Sequence, residues 1–542
     1  MFLKKINTYL QNHPYLAGLW LFLIAVILFS YIQYSPTLAD PDSFYHLKMA
    51  ELIARQGIVY DFPYLHFTVL RTNYIDHHFL FHVILAPFVF FLPAFIGGKI
   101  CQALLASLTV LCFYWLLKRL KAAAPFWLAA LLLLNAPWVY RLSLIKAQPL
   151  SLIIIFLACW MIIEKRYYLL LLLGFIYVWT YDGWFLLLVL GLISVVVDSL
   201  DSAWTGLTLS ASSQTKSISR KLGNFIQTAI INFFTLPNLK LIGSITAGLA
   251  LGIIINPYFP QNLYFYWVHI VQIGLLGLKS KIAVGAEWYS MSIRNFFIAI
   301  ALPLILILPG LAAGLDNWRR LESKAKFLLA TALVFLAATI RAQRNIEYFI
   351  PLAVLAAAVL YASLLAAADS RRKIFSVVKK IKDYLLPNKL CRRYFYIFAA
   401  LIFFILLFNA GYNVKKSLAI IRTDYLRSAS NYLLAVSQPN DLVFNSDWDI
   451  FPELFYYNNK DIYIVGLDPA FMYLANRKLY QEWADITRGE KYEQAYQLIK
   501  YDFQAKYALV AKKNKNLLSS LENNFHFKKI YDDSDAAVYQ VN

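Results

Sequence analysis

Residues 16–51 read LAGLWLFLIAVILFSYIQYSPTLADPDSFYHLKMAE. The first part is almost wholly apolar for about twenty residues, the length an α-helix needs to cross a bilayer's hydrocarbon core. No signal-peptide cleavage pattern follows it, so it is expected to be retained as a span. The second part, Ala39 to Glu51, brings Asp40, Asp42, Tyr45, His46 and Lys48 to the point where that helix leaves lipid. Ionisable groups are costly inside the bilayer, whereas at its edge water, metal ions and lipid head groups are all within reach. The stretch therefore reads as a membrane anchor that delivers chemistry to an interface.

The rest of the chain repeats the first half of that pattern. Of 542 residues 60% are hydrophobic and 15% charged, more apolar surface than a soluble fold of this length buries. Lipid offers the backbone no hydrogen-bond partner, so the apolar runs are expected to be helices. They fall at roughly 16–34, 99–117, 123–140, 149–163, 167–181, 184–198, 239–256, 293–313, 326–341, 347–367 and 394–413, about eleven spans. Cys101, Cys112, Cys159 and Cys391 lie in or beside spans and suggest neither disulfides nor a zinc site. No internal repeat stands out, and 199–221 is merely Ser-rich.

The formal charge of +20 is distributed as cytoplasmic loops would have it, which argues against nucleic acid as a partner. Lys4 and Lys5, Lys118 to Lys121, Lys165 and Arg166, Lys216 to Lys221, Arg319 to Lys326 and the run Arg371 to Arg393 all fall on one side. That holds only if Phe79–Phe95, interrupted by Pro87 and Pro93, lies along the outer membrane face, and if 225–236 is an interfacial helix. The expected protein is a multi-pass cell-membrane protein with a cytoplasmic N-terminus. Residues 1–413 form the membrane domain, with external loops 35–98 and 257–292. Residues 414–542 form an extracytoplasmic α/β domain, because strand-like runs (442–444, 462–465, 507–510, 537–539) alternate there with helical stretches such as Tyr492–Phe503.

Five places could carry chemistry. Asp40 and Asp42 flank a proline and could ligate a divalent cation or take a proton; Asp42 could equally cap the helix that follows. Asp76, His77 and His78 are candidate metal ligands or a solvated interfacial cluster, with His82 one helical turn beyond. Arg344 sits in a short external connection, where it could grip a phosphate or simply snorkel. Glu287 lies behind a glycine in an aromatic loop that could hold a substrate or be merely solvated. Ser446-Asp447-Trp448-Asp449 ends a strand, a usual place for binding residues, with a structural tryptophan as the competing reading.

Together and in this order, these sites resemble the catalytic subunit of oligosaccharyltransferases, and more broadly the class C (GT-C) membrane glycosyltransferases that use polyprenyl-linked sugars. Asp42-Ser43-Phe44-Tyr45-His46-Leu47-Lys48 is similar to the family's first-loop aspartate motif. Arg344 and Pro351 reproduce its R-x6-P spacing, Glu287 holds the place of its external-loop glutamate, and Ser446–Asp449 resembles its SWWD segment. The resemblance implies a GT-C-like membrane fold and an inverting glycosyltransferase. Asp42 and Glu287 would be catalytic, and Arg344 and Lys146 would meet the donor phosphate. Trp448, Asp449 and Asp447 would bind a protein, lipid or glycan acceptor.

It also implies a divalent metal, Mg or Mn, which this sequence argues against. The family's second acidic motif should follow Arg141, but the chain reads Arg141-Leu-Ser-Leu-Ile-Lys146-Ala-Gln148-Pro-Leu150, with both carboxylates replaced. A metal would then need Asp40, Asp76 or a histidine as substitute ligand. The alternatives are a non-catalytic polyprenyl-glycan-binding relative, or a lipid or glycan transporter; a transporter should show paired halves and deep ionisable residues, neither of which is evident.

Overall fold

A computed structural model describes residues 9–210, 218–278, 281–282, 284–315, 318, 321–366, 372, 376, 380, 384 and 388–542. Lys4, Lys5, Lys216, Arg319, Arg320 and much of the basic run 371–393 lie outside the described residues.

Among the described residues eight helical segments are long and apolar enough to cross a membrane: Pro14–Gln33, Ala94–Arg119, Asp182–Gly206, Leu236–Ile254, Ile293–Ala312, Ser323–Arg341, Gln343–Ala366 and Ile397–Leu418. The runs at 149–163 and 167–181 form the shorter helices Gln148–Ile163 and Tyr167–Thr180. Prolines open many of these helices (Pro14, Pro149, Pro237), where the missing N–H would have had no partner in any case. Tyr167–Thr180 packs closely on Leu236–Ile254 through small residues: a Cβ on Gly248 would collide with the Leu171 carbonyl.

The run 123–140 departs from expectation. It is two helices, Pro125–Leu132 and Ala136–Ser143, bent by 74°. Asn135 makes the break: its side chain accepts the Trp138 N–H at 3.1 Å, starting a new helix, and donates to the Ala299 carbonyl at 2.9 Å. The bend turns Arg141 away from the original axis and into the interior. Phe79–Phe91 is a separate 13-residue helix, about 20 Å long and too short to span. It packs on Asp42–Gln56 and on Ala94–Arg119. The segment 225–236 contributes to the helix Ile218–Phe233, which packs against Phe185–Ser210.

The C-terminal part carries a five-stranded mixed sheet. Its strands follow β1 (Thr37–Leu38) and β2 (Ile421–Arg422), which pair with each other and tie the first loop to the tail. They are β3 (Leu442–Asn445), β4 (Ile462–Tyr463), β5 (Tyr507–Ala511), β6 (Phe527–Asp532) and β7 (Ala536–Val541), in the order β4-β3-β5-β7-β6. β3 is parallel to both β4 and β5, so the chain leaves β3 to one side and returns on the other. Such a switch point opens a crevice at the strands' carboxyl ends, and the segment 446–449 leaves β3 there.

Aromatic packing presses the helix Phe451–Tyr457, which follows β3, onto the first loop. Phe62 and Tyr64 lie 5.3 and 4.7 Å from the Phe455 ring, and Phe44 lies 5.7 Å from Tyr456. Leu65 bridges to Tyr463, whose N–H donates to the Tyr64 carbonyl at 2.8 Å.

Candidate active site

A cavity of about 660 Å³ opens where the first loop, the bent helix, the loop carrying Glu287 and the tail meet. Asp42 stands at the first residue of the helix Asp42–Gln56, but it does not cap it. Asp40 does, accepting the Ser43 N–H at 3.2 Å and the Ser43 hydroxyl at 2.8 Å. Asp42 is left free to meet Lys146, whose Nζ lies 2.6 Å from Asp42 and 2.9 Å from Asp40. Burial opposes the charge on Lys146, yet the two carboxylates hold its ammonium protonated well above the ordinary range. Burial raises the Asp42 carboxyl against the pull of Lys146, and Asp40 adds repulsion in the same sense. A carboxylate so raised is a better proton acceptor.

Deeper in the wall a second network runs through Arg141. Its Nε donates to Glu347 at 2.7 Å and its Nη1 to Glu287 at 2.9 Å, while Nη2, although buried, has no partner among the described residues. Arg344 reaches the other Glu287 oxygen at 3.4 Å, donates to the Tyr181 hydroxyl at 2.6 Å, and stacks 4.5 Å from the Trp288 ring centroid. Burial works against the Glu287 charge, but Arg344, Arg141 and Lys146 hold its carboxyl far below the usual carboxylate range. Glu287 is thus held as an anion that spaces two guanidinium groups.

Histidines form the floor. His46 and His82 share a hydrogen bond at 2.8 Å, and His82 meets Asp76 at 2.7 Å. His269 pairs with Asp182 at 2.8 Å. Burial pushes His77 down to about 4 and His78 well below its ordinary value, so both are neutral at pH 7.

On the tail side Trp448 and Asp449 line the cavity, as does Asp468 from the loop after β4. Asn445 braces this lip from the end of β3, donating to the carbonyls of Asp447 at 2.7 Å and Val465 at 2.8 Å. Lys513, just past β5, clamps Asp447 at 2.7 Å and Asp449 at 3.0 Å. Burial, with repulsion from Asp447, pushes Asp449 up to about 6; burial likewise lifts Asp468 to about 6.

Of the residues singled out from the sequence, Asp40, Asp42, His77, His78, Lys146, Glu287, Arg344, Trp448 and Asp449 all line this one cavity. Asp76 and Asp447 stand behind its wall, holding His82 and Lys513. Sequence reading did not single out Asp182, His269, Glu347, Asp468 or Lys513. Asp182 and Glu347 had a signal, an acid at the end of an apolar run. The others carried none.

No protein-family model matches the chain, and no curated protein matches its sequence. Solved structures do. The archaeal oligosaccharyltransferase AglB from Archaeoglobus fulgidus, in complex with an inhibitory peptide and a dolichol-phosphate, aligns over 97% of this chain and 74% of its own with a TM-score of 0.60 at 12% identity. The chain has the fold of the archaeal oligosaccharyltransferase. The apo form of the same enzyme gives 0.59 over the same shares, and its complex with Zn and sulfate 0.56 over 96% and 73%, both at 12% identity.

Whether a chain with the oligosaccharyltransferase fold can hold a divalent ion depends on its donors. Here Gln148 and Leu150 supply no charge, Glu287 is consumed by two arginines, and the ammonium of Lys146 lies between Asp40 and Asp42. Asp76 is held by His82 at 2.7 Å and His77 stacks on Phe265, while the buried Nδ1 atoms of His77 and His78 have no hydrogen-bond partner among the described residues. Among the described residues no three His, Cys, Asp or Glu side chains converge as a ligand set. The residues do not fit Mg or Mn.

Proposed function

We propose that the protein is a membrane glycosyltransferase that moves a sugar or oligosaccharide from a polyprenyl phosphate or diphosphate to an extracytoplasmic protein, lipid or glycan acceptor. Its N-terminus is cytoplasmic, and the loops 35–98 and 257–292 and the domain 414–542 face outward from the cell membrane. The observation that carries this reading is the cavity itself. It is lined at once by a raised carboxylate, Asp42; two partly engaged guanidinium groups, Arg141 and Arg344; and an aromatic-acidic lip, Trp448 and Asp449. Base, anion site and acceptor site come from stretches of sequence hundreds of residues apart.

In the proposed inverting step the acceptor's proton passes to Asp42 as its heteroatom bonds to the anomeric carbon. The bond from that carbon to the phosphate oxygen breaks, and its electron pair leaves on the phosphate. Arg344, Lys146 and the free Nη2 of Arg141 meet the developing charge. Once Asp42 is protonated, Lys146 has lost one of its two counter-ions, so its field turns toward the leaving group at the moment that charge appears. Trp448 and Asp449 orient the acceptor, and the loop carrying Glu287 and Trp288 covers the donor.

Comparing surface glycans of cells with and without the protein tests this. One glycan species should disappear, return with the native chain, and stay absent with Asp42→Ala at equal membrane abundance. An unchanged glycan profile in the deleted cells refutes it.

A further inference from the structure

We infer that Lys146 is the resident cation of this site, and that its ammonium does the work of a divalent metal ion, so the protein binds none there. This deepens the proposed function, on which the role toward a leaving phosphate rests.

The inference starts from a fixed need. Asp40 and Asp42 line the cavity within reach of one ion, and two carboxylates so placed repel unless a cation lies between them. A metalloenzyme meets that need with a divalent ion and further anionic ligands. This chain instead supplies Lys146, with Nζ at 2.9 and 2.6 Å from the two carboxylates. Lys146 is 8% exposed and sits in the short connection between Ala136–Ser143 and Gln148–Ile163. Its backbone N–H donates to the Leu144 carbonyl at 2.8 Å, which fixes the turn.

The change of charge is consistent along the segment. Gln148, two residues beyond Lys146 and also in the cavity wall, carries an amide where a carboxylate could have joined a divalent site. A divalent ion entering between Asp40 and Asp42 would have to displace an ammonium held by two carboxylates, and would gain only those two as anionic ligands. Glu287, a further acid of the same cavity, is already held by Arg141 at 2.9 Å and Arg344 at 3.4 Å. The lip repeats the arrangement, with Lys513 between Asp447 and Asp449.

The test titrates the purified full-length protein in detergent micelles with Mn²⁺ alone, read by the paramagnetic signal of the free ion and by the melting temperature. The native chain and Lys146→Arg should leave the free-ion signal undiminished and their melting temperatures unmoved by Mn²⁺ or by a chelator. Lys146→Asp, which places a third carboxylate beside the other two, should bind Mn²⁺ at least about tenfold more tightly than the native chain and melt higher in its presence. Adding Asp42→Asn to that variant should remove both effects. Mn²⁺ binding by the native chain that disappears in Asp42→Asn overturns the inference, whether or not Lys146→Asp folds. Because neither readout involves sugar transfer, the inference and the proposed activity fail separately.

Discussion

Replacing Arg141 with methionine should be among the most damaging single changes in the membrane body, and the reason lies in which partner is left behind. Glu347 is fully buried, and among the described residues its carboxylate has one cationic partner, Arg141 Nε at 2.7 Å, and its other oxygen has none. Removing Arg141 strands a charge where water cannot follow, which costs about 3–5 kcal/mol. The converse change, Glu347→Met, leaves Arg141 still paired with Glu287 at 2.9 Å and should cost about 1.5–3 kcal/mol, the worth of one charge-assisted hydrogen bond. Removing both together should recover most of the difference, because a packed apolar pair needs no desolvation compensation. Thermal unfolding in detergent micelles, followed by tryptophan fluorescence, reads all three variants against the native chain. The expected order is Arg141→Met lowest, then Glu347→Met, with the double variant above Arg141→Met. If Glu347→Met melts as low as Arg141→Met, or the double variant lowest of all, the stranded-charge reasoning is wrong.

Four further outcomes follow from the same geometry. Asp42→Asn should lower transfer by about 10²–10⁴-fold with the melting temperature little changed; activity within a few-fold of native would remove Asp42 from the proposed role. Arg344→Ala should raise the donor KM and lower kcat, with Arg344→Lys intermediate because lysine keeps the charge but loses the fork that reaches both Tyr181 and Glu287. Asp449 titrates at about 6, so acceptor KM should rise as pH falls through 6 and the carboxylate is lost. Asp449→Asn should flatten that limb. Since its folded value lies above the ordinary 3.8, the folded state binds the proton more tightly, and this group's contribution to stability grows as pH falls from about 6 toward 4. Gly248→Leu should force apart the helices Tyr167–Thr180 and Leu236–Ile254 and sharply reduce membrane yield, because the added side chain meets the Leu171 backbone; native yield and melting temperature would show that the helices tolerate the separation.

The sequence alone determined the class of protein, the places of nearly all its apolar helices, four of the five strands of the tail's sheet, and most of the ionisable side chains that line the cavity. These are local properties. The transfer energy of an apolar run adds residue by residue, strand alternation has a period of two, and a carboxylate at the end of a span stands out against its neighbours. The break at Asn135 was not legible, since an asparagine in an apolar run gives no sign that a carbonyl on a distant helix, Ala299, awaits its amide.

Only the tertiary structure decided who pairs with whom. Lys146 meets Asp42 across 104 residues of chain, and Arg141 meets Glu347 across 206. Seen one at a time, Asp42 reads as a helix cap, Arg344 as a snorkelling side chain and Lys146 as an added positive charge. A charge acquires its role from the distance to its counter-charge and from the water excluded between them, and both are fixed by packing between elements far apart in the chain.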